Sequence, residues 1–164
     1  MKDYRNGIEQ NLAPIALEFF ATFSRFEFAL KRGTYAAGYE GKRASPDWIR
    51  FAGDLGDDFF TQMEAADAAR IFFEAPPKRL TIKVGGGVEF TDQAKLTNTQ
   101  MLLEAVGLVR NNLFHGEKIW VGERDEALIR ASLFVLDSAY AAASAREDMR
   151  QVCAAFRYAH INPH

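Results

Sequence analysis

The sequence predicts an all-α bundle of about five helices with one small β-hairpin inserted, built as a single domain over residues 1–164. Three observations predict it. Apolar residues recur at helical spacing through several long segments, with turn and stop signals between them. The clearest strand-like stretch is short and is broken by Gly85-Gly86-Gly87. The chain is 48% hydrophobic and 26% charged, a globular balance, and its length is enough to bury a core. Phe is used 14 times, which fits rings packed between helices.

Leu12, Ala16, Phe19, Phe23, Phe26 and Leu30 form the first stripe, with Gly33 as its stop signal. Pro14 is tolerated only in a first turn, so the helix is expected to start near Asn11. At ~100° per residue Glu27 falls beside Phe20, Phe23 and Leu30, on the flank of the stripe. It either meets a cation there or reaches out to water.

Residues 33–45 carry no periodicity and read as a loop. Its Tyr35 and Tyr39 are suited to stacking on bases or to covering the end of a bundle. Ser45-Pro46-Asp47 reads as N-cap, first-position proline and first-turn acid of a short helix. Asp54, Asp57 and Asp58 precede a longer helix carrying Leu55, Phe59, Met63, Ala66 and Phe73. Acids at a helix start complement its dipole, and that reading is preferred to a metal site. Pro76-Pro77 stops this helix. Residues 80–84 and 88–90 then form the hairpin, with the glycines as its turn. A phosphate loop is excluded there, because no Gly-Lys-Ser/Thr and no helix follow.

Thr97 or Asn98 is placed to cap the next helix, whose stripe is Leu102, Val106, Val109 and Leu113. Arg110 projects to the flank of that stripe, and Asn111 lies nearly opposite it. In a regular helix Arg110 and His115 diverge by roughly 140°. Gly116 lets the helix end, so that the His115 ring can swing toward the arginine. A histidine at that end also complements the helix dipole. Leu128, Ser132, Val135, Leu136, Ala139 and Ala143 make the following stripe. A final helix from about Arg146 would align Arg146, Arg150 and Arg157 within about 40°. Glu147 and Asp148 beside them make a solvated face the better reading than a phosphate track. Cys153, His160 and His164 do not compose a metal set, and no metal or cofactor is expected.

Bulk properties narrow the function classes. A net charge of −2 argues against a broad electrostatic nucleic-acid binder, while leaving room for a compact site. One cysteine excludes an intrachain disulfide framework. Met1-Lys2-Asp3-Tyr4-Arg5 lacks a signal peptide's apolar core, and Glu18 and Asp137 interrupt the best membrane-span candidates. The expectation is a cytoplasmic protein with no membrane partner.

Two stretches carry chemistry. Arg110-Asn111-Asn112-Leu113-Phe114-His115-Gly116 joins a permanent cation suited to phosphate with the side chain that exchanges protons near neutral pH. Phe23-Ser24-Arg25-Phe26-Glu27-Phe28-Ala29-Leu30-Lys31 is the second. Together they resemble the HEPN superfamily, whose signature is an Arg, an adjacent polar residue and a His four to six positions beyond the Arg. Arg110, Asn111 and His115 match it, and the second stretch looks like the first helix of Apea-like HEPN proteins. About twenty residues carry the resemblance.

The resemblance implies a helical bundle that forms a homodimer with two signatures facing one cleft. It also implies a metal-independent endoribonuclease of the toxin, defence or stress-response kind, or a non-catalytic module binding a nucleotide, RNA or protein partner. An antitoxin or nucleotidyltransferase-type partner belongs to the same setting. In HEPN toxins modified by such a partner a Tyr stands two residues after the His, whereas this chain has Glu117, which puts that mechanism in question. Arg110 would be the transition-state clamp, His115 the base or acid, and Asn111 an orienting group. Glu27 would support Arg110 through a charge-assisted hydrogen bond. A purely structural Glu27–Arg110 pair with His115 as a helix-end group is the remaining alternative.

Overall fold

The computed structural model describes residues 13–114 and 121–161. Helix α1 (Pro14–Arg32) has its proline at the first position, where a missing N–H costs nothing. Its buried face is Ala16, Phe19, Phe23, Phe26 and Leu30, as the spacing predicts, together with Ala29. Asn11 and Leu12 lie outside the described residues.

The loop after α1 holds more order than expected. Strand β1 (Ala36–Ala37) pairs antiparallel with β2 (Ser45–Pro46). Ser45 is therefore not a helix cap. That role falls to Asp47, whose Oδ1 accepts the Arg50 N–H at 3.0 Å at the start of α2 (Trp48–Ala65). The Asp47 N–H in turn reaches the Tyr35 carbonyl at 2.8 Å, so tertiary pairing sets where this helix begins. Tyr35 is buried, packs edge-on to Phe51, and donates its hydroxyl to Asp54 Oδ2 at 2.7 Å. Tyr39 is exposed.

Helix α2 kinks at Gly56, with φ 77° and ψ −176°, a conformation that a Cβ would strain. The kink leaves Asp57 and Asp58 at the start of the second half, where acids suit the dipole. Two carbonyls around it take side-chain donors: Gly56 O from the buried Thr99 hydroxyl at 2.6 Å, and Asp54 O from Arg146. The expected run on to Phe73 is corrected. Ala66 adopts an extended conformation, and a 3₁₀ turn (Asp67–Ala69) and the short α3 (Ile71–Glu74) follow. Ending the helix there brings the turn and α3 onto the later helix α5 (Glu123–Ser144), with Ala69 and Phe72 fully buried.

The hairpin forms as read. Strand β3 (Arg79–Ile82) pairs with β4 (Val88–Thr91), with Leu80 opposite Phe90. Gly85, Gly86 and Gly87 all have positive φ, which explains three consecutive glycines at the turn. Helix α4 (Thr99–Phe114) starts with Asn98 Oδ1 accepting the Met101 N–H at 2.9 Å. Leu102, Val106 and Val109 are buried and Leu113 packs against the core.

Helix α5 is the centre of the bundle, touching α1, α2, α3, α4, the 3₁₀ turn and α6 (Arg150–Ile161). All six of its expected stripe residues are buried, and Ser132 satisfies its hydroxyl on Leu128 O at 2.7 Å. By length and composition α5 is apolar enough to cross a bilayer despite Asp137, which the sequence reading did not anticipate; here its apolar residues form the core. Helix α6 begins at Arg150, four residues later than expected, so no three-arginine strip exists. Arg146 pairs with Asp148, Arg150 with Glu147 at 3.2 Å, and Arg157 Nε donates to the Tyr140 hydroxyl at 3.0 Å. The outcome is thus an all-α bundle with two small antiparallel strand pairs among the described residues, one more than predicted.

Candidate active site

Helix α4 runs across α1 and carries Arg110 in its last turns. The guanidinium lies over the Phe23 ring of α1, with 5.6 Å from Cζ to the centroid. Phe23 is itself fixed by a stacked contact with Trp48 at the start of α2, at 5.3 Å and 28° between planes. A cation over a partly desolvated ring gains ~0.5–2 kcal/mol. Arg110 Nη1 also donates to Asn111 Oδ1 at 2.9 Å. The guanidinium is therefore held by a ring and by an amide from the neighbouring position on its own helix. With Oδ1 occupied, Asn111 presents its Nδ2 hydrogens as donors.

The two stretches singled out in the sequence are therefore brought into contact, through Phe23 and Arg110. Glu27 sits one turn beyond Phe23 on α1 and is half-buried. No ion pair or hydrogen bond joins Glu27 to Arg110 among the described residues. His115, Gly116 and Glu117 lie outside the described residues, as do the side chains of Phe114 and His160 and the whole of His164.

Sequence reasoning missed Trp48 as part of this arrangement. Its only local signal was an aromatic residue opening a helix just after Asp47, and nothing local says that this ring backs Phe23. Asp54, Asp57 and Asp58 do not assemble a site: Asp54 holds the Tyr35 hydroxyl, and among the described residues no group of His, Cys, Asp or Glu is arranged to hold a metal ion.

On the other side of α4, Asn112 Nδ2 donates to Lys78 O at 2.8 Å, tying the helix to the base of the hairpin. A groove of about 330 Å³ opens there between the hairpin, the end of α4 and the start of α5. Comparison with protein-family models, curated proteins and solved structures gives no match.

Proposed function

We propose that this chain is a HEPN-type, metal-independent endoribonuclease acting as a homodimer in a toxin, defence or stress-response setting. The observation that supports it best is the clamp: Arg110 is held by Phe23 and Asn111 near the end of α4, five residues before His115. A cation fixed before substrate arrives costs little reorganisation when charge builds on phosphorus, which is where electrostatic catalysis gains most.

In this reading the RNA 2′-oxygen attacks the adjacent phosphorus as a base takes its proton. The bond from phosphorus to the 5′-oxygen then breaks, and an acid protonates the leaving oxygen. The products are a 2′,3′-cyclic phosphate and a 5′-hydroxyl. His115 is assigned the proton transfers and Arg110 the charge on the pentacoordinate phosphorus. Asn111 holds the arginine and offers its amide hydrogens to a phosphate oxygen. The single His115 of each chain cannot serve as base and acid at the same instant, so the second copy in a two-fold dimer supplies the other. Glu27 has no direct part in these steps.

The test is incubation of the purified protein with total RNA in EDTA. Cleavage leaving cyclic phosphate ends is expected, with Arg110→Ala and His115→Ala each lowering the rate by ~10²–10⁴-fold while the circular dichroism spectrum is kept. Activity that appears only with added Mg²⁺ or Mn²⁺ would overturn the mechanism.

A further inference from the structure

We propose that the groove beside the hairpin is a subsite for an unpaired nucleotide of a single-stranded RNA, near the phosphate held at Arg110. This rests on the endoribonuclease reading for its place in the reaction, and on the groove's own chemistry for its ligand. The buried Pro77 and Leu128 line the groove, together with Phe90 of β4, which has 38% of its surface exposed. Lys78 and Arg124 line it with positive charge.

The side chains are disposed for a nucleotide. An exposed aromatic face beside cations is the arrangement that binds single strands without duplex geometry, a base stacking on the ring while its phosphate meets the charge. Arg124 spends one nitrogen, Nη2, on the carbonyls of Ala75 and Pro76, at 3.3 and 3.0 Å, which anchors its guanidinium at the groove. Its other N–H groups remain to meet a phosphate. Lys78 is paired with Asp92 at 3.1 Å, both being substantially exposed, and such a pair is weak enough to yield to a phosphate. Asp125 also lines the groove, and its Oδ2 accepts the Gly122 N–H at 3.4 Å. The charged lining is thus two cations and one acid, with Asp92 beside Lys78.

Position links the groove to the clamp. Asn112 faces the groove and Arg110 faces Phe23, and the two are two residues apart on α4, hence roughly 200° apart around it. Passing around the side of a helix ~10–12 Å wide, past Asn111, is an arc of roughly 19 Å, or about five to six stacked nucleotides at ~3.4 Å each. A strand following that side of α4 would thus set one phosphate at Arg110 and a nearby base on Phe90. The hairpin, which adds little to the core, acquires a role as the wall that selects single strands.

The experiment is fluorescence anisotropy with an unstructured, fluorescein-labelled oligoribonucleotide on the His115→Ala chain, so that binding is read without cleavage. Phe90→Leu, which keeps an apolar side chain on the hairpin, should weaken binding roughly tenfold, the size of one lost base stack. Phe90→Trp should restore it. Lys78→Gln should weaken binding and lower the salt dependence by about one ion. Equal affinity for Phe90→Leu and the parent, or no binding by the parent, would overturn the subsite. The two readings fail separately. RNA cleavage in EDTA with Phe90-independent binding leaves the endoribonuclease standing and removes the groove. Phe90-dependent binding without any cleavage leaves the groove as the site of a binding module.

Discussion

The Arg110 guanidinium rests on the Phe23 ring at 5.6 Å, and the same ring stacks on Trp48 at 5.3 Å. Three helices thus meet at one cation. Arg110 is positioned by a core aromatic side chain, where the sequence suggested a carboxylate one turn away.

Phe23→Leu should therefore loosen the arginine without emptying the core. The substitution removes the ring face, and with it ~0.5–2 kcal/mol of cation–π attraction, while retaining most of the apolar bulk. Phe23→Ala would instead cost ~3–5 kcal/mol as a cavity mutant. RNA cleavage by the leucine variant should fall with kcat, not KM, changing most. Full activity in a variant whose fold is intact would show that Phe23 does not position the clamp.

Glu27→Gln should change stability by no more than ~0.5 kcal/mol, because the carboxylate makes no ion pair with Arg110 and is only half-buried. Urea unfolding is the direct measure. A loss of several kcal/mol would reveal a buried charge partner for Glu27.

Thr99→Val tests the kink in α2. The hydroxyl of Thr99 is buried and donates to Gly56 O at 2.6 Å, so an isosteric valine leaves that carbonyl unsatisfied. The expected cost is ~1–3 kcal/mol in chemical denaturation. A neutral result would mean that the kink carbonyl finds water.

Burial, followed by the hydrogen bond and charge of Asp54, pushes the Tyr35 hydroxyl above its ordinary value near 10. The folded state then holds this proton when the unfolded chain has lost it. The contribution to stability is full below about pH 10 and falls as pH rises beyond it. Tyr35→Phe should cost ~1 kcal/mol at neutral pH and make the alkaline decline shallower. Unfolding midpoints from pH 8 to 11 would check both, and an unchanged alkaline slope would contradict the assignment.

If each site takes a proton carrier from both chains, specific activity should fall on dilution together with the dimer fraction seen by analytical ultracentrifugation. Dimers mixing wild-type and His115→Ala chains should lose most of their activity. A monomer that cleaves at full rate would refute the shared site.

The sequence by itself determined the stripes of α1, α4 and α5 and the hairpin turn at Gly85–Gly87. Those are local properties: a 3.6-residue period shows which face is buried, and consecutive glycines mark a backbone that only they adopt easily. It also marked Arg110 and Asn111, since an arginine beside an amide near a helix end is visible without coordinates. Tertiary structure alone decided the rest. Ser45-Pro46 reads equally well as a helix start or an extended pair until Ala36–Ala37 lies beside it. The break at Ala66 follows from burying Ala69 and Phe72 on α5, a contact across more than fifty residues. The same holds at the clamp. Helical arithmetic puts Phe23 and Glu27 on one flank of α1, and only the crossing of α4, with Trp48 behind the ring, sets Arg110 against Phe23. Local pattern fixes which face is apolar, while the choice between a ring and a carboxylate depends on a crossing position to which every packed helix contributes.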